Sequence, residues 1–193
     1  GLAHIDLING NKTAAQSNIA SALTIAKKKN TEELIYISRA YLNSDNPDFS
    51  RAVENAKLAV TSDVKSAKAY LVLGDAQLAN KNTNDAYVAY RTAYDLDSSL
   101  YQAKLQLAII VRNAQAYPEA MKILKEITTL SPTFGPAYRE MAETNLDWAF
   151  GNNSNFKEKI AAALDDYKKY MSLTDTSVDS RMKYTDFLIL TKD

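Results

Sequence analysis

Three alanines, Ala52, Ala86 and Ala120, recur every 34 residues. Each starts a stripe with steps of four, three and three: Tyr90, Ala93 and Leu96 follow Ala86, and Leu124, Ile127 and Leu130 follow Ala120. Those steps put the side chains on one face of an α-helix. A fixed period of this length with helical spacing inside it marks an array of helical units, each able to bury its apolar face only against its neighbours. The ladder therefore settles the architecture and turns the question of function from catalysis toward a surface that holds another protein.

Residues 67–100 give the clearest unit. Tyr70, Leu73, Gly74 and Gln77 share one helical face, Asn80-Lys81-Asn82-Thr83 has turn chemistry, and Ala86, Tyr90, Ala93 and Leu96 form a second stripe. Residues 101–134 repeat the plan: Leu107 follows Leu73, Ala108 follows Gly74, and Pro132 falls in the closing turn, where it cannot continue a helix. Tyr138, Met141 and Ala142 match Tyr70, Leu73 and Gly74 once more. The small residues have a physical reason, since paired helices approach closely only where side chains are short.

This pattern resembles the tetratricopeptide repeat family, in Tyr70, Leu73-Gly74, Ala86, Tyr90 and Ala93, and in Ala120, Leu124, Ile127 and Pro132. Gln77, Lys104 and Ser98 depart from it, standing where an aromatic, a large residue and a proline are usual. The resemblance implies an all-α, right-handed α-solenoid of antiparallel hairpins, about 11 helices in all. The expected organisation is one array over 1–193: a partial unit 1–30, units 31–66, 67–100 and 101–134, an expanded unit 135–175, and a partial unit 176–193. In the first, Thr13–Lys29 carries Ala15, Ile19, Ala22 and Ile25 inward. In the expanded unit a first helix runs past Trp148, which anchors a polar loop, and a second spans about Phe156 to Leu173. In the last, residues 177–191 form a helix with Tyr184 and Leu188 inward and Leu188 and Leu190 partly exposed. Both ends read as cut within a unit, so the expectation is a fragment of a longer bacterial protein of Bacteroidetes type.

Lys+Arg and Asp+Glu balance at 23 each, which argues against nucleic acid as a partner. Cysteine is absent, so neither disulfides nor thiolate metal sites are expected. No apolar run reaches the roughly 18 residues of a membrane span, so no membrane insertion is expected. The lone His4, the five glycines and the lack of HExxH or GxSxG offer no catalytic constellation, and no cofactor is expected. Of the twelve tyrosines, Tyr41, Tyr70, Tyr90, Tyr138, Tyr167 and Tyr184 sit at repeat positions that face neighbouring helices and read as core.

In the family the first helices line the concave wall. By that resemblance the residues left for a partner are Ile35, Tyr36 and Arg39, then Leu71 and Asp75, then Leu105, Ile109 and Arg112, then Arg139 and Glu143. Ile35, Leu71, Leu105 and Ile109 would form an apolar track beside charges that set direction. Charge reversal at Arg112, or Leu71→Asp, is then expected to weaken a partner without unfolding the array. The lysine–arginine clamp of chaperone-tail binders is missing, because Val72 follows Lys68 by four. The expected function is a non-catalytic scaffold that binds a protein or peptide segment on this surface. The alternative is a structural spacer or accessory module that positions flanking domains. A periplasmic or envelope location is favoured slightly over a cytoplasmic one.

Overall fold

The computed structural model describes residues 5–6, 11–25, 30–151, 155–174 and 178–190, with backbone alone at 22–25, 179, 187 and 190. Among these residues it has ten helices: α1 (Lys12–Ile25), α2 (Thr31–Leu42), α3 (Phe49–Ser62), α4 (Ala67–Ala79), α5 (Thr83–Leu96), α6 (Tyr101–Asn113), α7 (Tyr117–Leu130), α8 (Gly135–Gly151), α9 (Phe156–Leu173) and α10 (Val178–Leu190). The long α8 running past Trp148, and α9 from Phe156 to Leu173, are where the expanded unit was expected. His4, residues 152–154, and the side-chain placements expected for Ala22, Ile25 and Leu190 lie outside what is described.

The helices pair as antiparallel hairpins, because side chains equidistant from each turn meet. Ser38 Oγ donates to the Ala52 carbonyl at 2.8 Å, and Asn145 Nδ2 donates to Asp166 Oδ2 at 2.9 Å. Lys104 near the start of α6 reaches Glu126 near the end of α7 at 2.8 Å. The small positions are where helices touch. A Cβ added at Gly74 would lie 2.5 Å from Tyr90 Cδ1 and Cε1, inside any allowed contact. The corresponding pairs by position are Ala108 with Leu124 and Ala142 with Tyr167, all buried.

Turn chemistry repeats with the helices. Lys81 and Gln115 adopt positive φ of 63° and 62°, and the amides of Asn82 and Ala116 reach back to the carbonyls of Gln77 and Val111. This is a Schellman ending at a position that glycine would fill without strain. Gln77, in place of the usual aromatic, is buried and accepts from Asn82 Nδ2 at 2.9 Å, so it secures the same turn. Where Ser98 replaces proline, the Asp97 carboxylate accepts from the amide and hydroxyl of Ser99 at 3.0 and 2.6 Å. That local hydrogen bonding closes the turn in proline's stead. Asp48 and Ser66 cap α3 and α4 by accepting the amides of Arg51 and Ala69.

The chain divides into two compact units, Gly1–Ala103 and Lys104–Asp193. In the first, α2, α3 and α4 surround a core of Leu34, Ile37, Tyr41, Ala52, Ala56, Ala59 and Val72. In the second, Ala142, Ala163 and Tyr167 form a core between α8 and α9, with Tyr184 of α10 packed against it. Of the six tyrosines expected in the core, Tyr41, Tyr90 and Tyr167 are buried, while Tyr70, Tyr138 and Tyr184 are half-buried. Tyr138 instead donates its hydroxyl to the Pro132 carbonyl at 3.2 Å. The ladder also loses its last step: Leu96 and Leu130 end their helices exposed.

Candidate interaction surface

The first-helix face differs from the expected apolar track. Ile35, Leu71 and Leu105 are 5, 6 and 3% exposed. They are core side chains, not anchors open to a partner. The reason is the number of neighbours on a first helix: α4 is packed by α2, α3 and α5 together, so two of its faces are buried. The same correction applies to Leu71→Asp, which would put a carboxylate into that core.

What the face does offer is polar and held in place. In the first unit, Tyr36 on α2 is 65% exposed, and Arg39 is exposed one turn along. Asp75 on α4 is half-buried and accepts from the Tyr90 hydroxyl at 2.8 Å. Burial pushes the Asp75 carboxyl above its usual range, with the Tyr90 hydrogen bond and the Arg39 charge opposing.

In the second unit, Glu140 on α8 is 5% exposed and sits between two arginines. Arg112 Nη1 of α6 donates to its Oε2 at 2.9 Å. Arg139 donates to its Oε1 through Nε at 3.2 Å and Nη2 at 2.9 Å. Arg112 also approaches Asp147 Oδ2 with Nε at 3.4 Å, and Glu143 pairs with Lys183 of α10. Burial raises the Asp147 carboxyl pKa, with the Arg112 charge opposing. Ile109 is half-buried on the same helix as Arg112. Arg112 is therefore a partner of a buried carboxylate, so its charge reversal would damage the unit as well as any binding. Of the ten residues expected on this face, Tyr36, Arg39 and Arg139 are well exposed; Asp75, Ile109, Arg112 and Glu143 are half-buried.

Sequence reasoning missed a groove of about 1010 Å³ in the second unit, lined mainly by α7, α8 and α9. Its lining includes Met121, Met141, Ala162 and Trp148. Trp148, expected to anchor the extra loop, stacks on Tyr117 with centroids 6.1 Å apart and lies 3.6 Å beneath the Lys159 ammonium. Asp166 on one wall, desolvated there, titrates at about 6 although Asn145 donates to it. Its sequence signal was faint, because the lining combines second-helix positions of α7 and α9 with the part of the first helix α8 that was not assigned to a partner. Among the described residues no group of three or more His, Cys, Asp or Glu is arranged to hold a metal ion, and no helix is long and apolar enough to cross a membrane.

No family model matches the sequence, and no curated protein matches it. Solved structures do. TTC0263, a thermophilic TPR protein from Thermus thermophilus, superposes with a TM-score of 0.71 at 20% identity, covering 96% of this chain and 95% of that one. PilW, described as a widely conserved type IV pilus biogenesis factor, gives 0.71 at 20% identity over 97% of this chain and 83% of its own. A MamA protein gives 0.67 at 20% identity over 91% and 93%. Identity this low speaks for the fold: the chain is an all-α solenoid of the tetratricopeptide-repeat type.

Proposed function

We propose that the chain is a non-catalytic interaction scaffold that holds a peptide or protein segment against the first-helix, concave face of its hairpins. The observation that carries this reading is the arginine pair around Glu140. Burying a carboxylate costs desolvation that its ion pairs only repay, and apolar residues of similar size would stabilise at least as well. What the arrangement supplies is placement: Arg139, its side chain 47% exposed, is held rigid by a buried anchor. A fixed cation loses less side-chain entropy on binding and selects a partner carboxylate by charge. In the first unit the exposed Tyr36 and Arg39 offer an aromatic contact beside a cation. The partner is protein, not nucleic acid or membrane. A cell-envelope location is supported by the fold likeness to a pilus biogenesis factor.

Affinity capture from the source cells with wild type, Arg139→Glu and Tyr36→Ala/Arg39→Glu baits tests this. A partner identified with wild type should bind at least one variant about tenfold more weakly, with helicity unchanged by circular dichroism. Equal affinity for both variants would remove the concave face from the account.

A further inference from the structure

The charges on the first-helix face of the second unit lie at different depths. In two ion pairs the carboxylate is the covered member and the cation the open one. The Arg139 side chain is 47% exposed against 7% for Glu140, and Lys183 of α10 is 47% exposed against 19% for Glu143. In the pair of Arg112 with Asp147 the depths are reversed, at 16% and 49%. The three cations balance the three carboxylates in number, yet the members open to a partner are two cations and one anion.

These open charges are also ordered along α8. Arg139, Glu143 and Asp147 stand four residues apart, so they climb the helix axis in steps of about 6 Å while turning only about 40° at each step. Lys183 is fixed at the middle level by its pair with Glu143, and its charge is felt at Asp147. The face therefore reads cation, cation, anion. A guanidinium has five N–H donors and an ammonium three, so each cation can hold its own carboxylate and share a partner's. An extended segment repeats its side chains on one face at about 7 Å, close to one step of this order.

We propose that this face takes an extended acidic segment, with two carboxylates two residues apart over Arg139 and Lys183 and a lysine or arginine two residues further over Asp147. The inference rests on the concave-face reading and deepens it: it names the partner's charge order and adds Lys183 of the last helix to the binding face. A segment of the same net charge with its base in the middle sets that base against Lys183 and a carboxylate against Asp147. Both contacts repel, and selection between partners follows from that.

Fluorescence anisotropy of the full chain with two labelled, end-capped serine peptides tests it, in about 50 mM salt to limit screening. One peptide carries glutamate at its second and fourth positions and lysine at its sixth. The other exchanges the lysine with the middle glutamate, so composition and net charge are unchanged. The ordered peptide should bind at least about tenfold more tightly. Arg139→Gln and Lys183→Gln, with helicity retained by circular dichroism, should each reduce that preference below about threefold. With Asp147→Asn, serine should replace the peptide's lysine without loss. If Lys183 only held α10 in place, its variant would weaken both peptides together and leave their ratio unchanged, which overturns the assignment. Equal affinity for the two peptides, or no saturable binding up to about 1 mM, overturns the charge order. The concave-face reading stands in that case if a partner captured by wild type still depends on Arg139, and falls with it if that partner is indifferent to every variant on the face.

Discussion

Replacing Gly74 by alanine sets two effects of known size against each other. In an isolated helix alanine is favoured over glycine by about 1 kcal/mol, so propensity alone makes Gly74→Ala stabilising. The structure predicts the opposite sign. The new methyl would stand 2.5 Å from two carbons of the Tyr90 ring, and that ring is 1% exposed with no room to retreat. Overfilling such a contact costs about 1–3 kcal/mol. If the ring moves, its hydroxyl also gives up Asp75, a hydrogen bond to a carboxylate worth roughly 1.5–3 kcal/mol. The net expectation is a loss of about 1–3 kcal/mol. The chain provides its own control, since one repeat along the equivalent residues are Ala108 and Leu124. Gly74→Ala/Tyr90→Leu copies that solution, and its cost should fall below the sum of the single costs by at least about 1 kcal/mol. Repeat arrays open in pieces, so urea melts followed by circular dichroism should be joined by hydrogen exchange at the α4 and α5 amides. A Gly74→Ala variant more stable than wild type, or a strictly additive double variant, would refute the reasoning.

Three further outcomes are expected. Lys81→Gly and Gln115→Gly should each raise the urea midpoint, by about 0.5–1 kcal/mol in stability, because both residues hold a left-handed backbone that costs a side chain roughly 1–2 kcal/mol. The neighbouring Asn80→Gly, at an ordinary φ of −81°, serves as the control and should instead lose stability. Asp166→Asn should raise the thermal midpoint at pH 7.5 by an amount on the order of 1 kcal/mol after solvent screening. The folded carboxyl titrates at about 6 against an ordinary 3.8, so its charge costs stability above pH 6, and the advantage of asparagine should shrink as pH falls to 4. Glu140→Ala, which leaves Arg112 without its buried partner, should cost about 3 kcal/mol in urea melts, whereas Arg139→Ala on the exposed side should cost less than about 1 kcal/mol.

The repeat made the helices legible because period and turn chemistry are local. The steps from Ala86 and Ala120 fix which face of α5 and α7 turns inward, and Asn80 to Thr83 fixes where α4 stops. Exposure on the first helices is a different kind of property. Ile35, Leu71 and Leu105 stand at the spacing of an open face, yet they are covered because a first helix meets neighbours on several sides. Counting those neighbours needs the packed array. The groove was illegible for a related reason: Met121, Trp148 and Asp166 come from three different helices, and no window of sequence contains them together. Trp148 alone carried a signal, as the one tryptophan in the expanded unit.

The charges divide between the two faces of the second unit in a way that stability does not require. On the first-helix face, Glu140 is buried between Arg112 and Arg139, and Asp147, Glu143 and Lys183 extend the pairing around it. Each cation there is tied to an anion of the same unit, so a partner must compete with bonds already made. It gains in return a surface whose geometry is set before it arrives. On the groove side charges of both signs stand on each wall: Lys122, Lys125 and Glu126 on α7, and Glu158, Lys159, Asp165 and Asp166 on α9, with Glu126 already paired to Lys104. A face of satisfied pairs discriminates by shape and register, since a wrong partner leaves a buried carboxylate uncompensated.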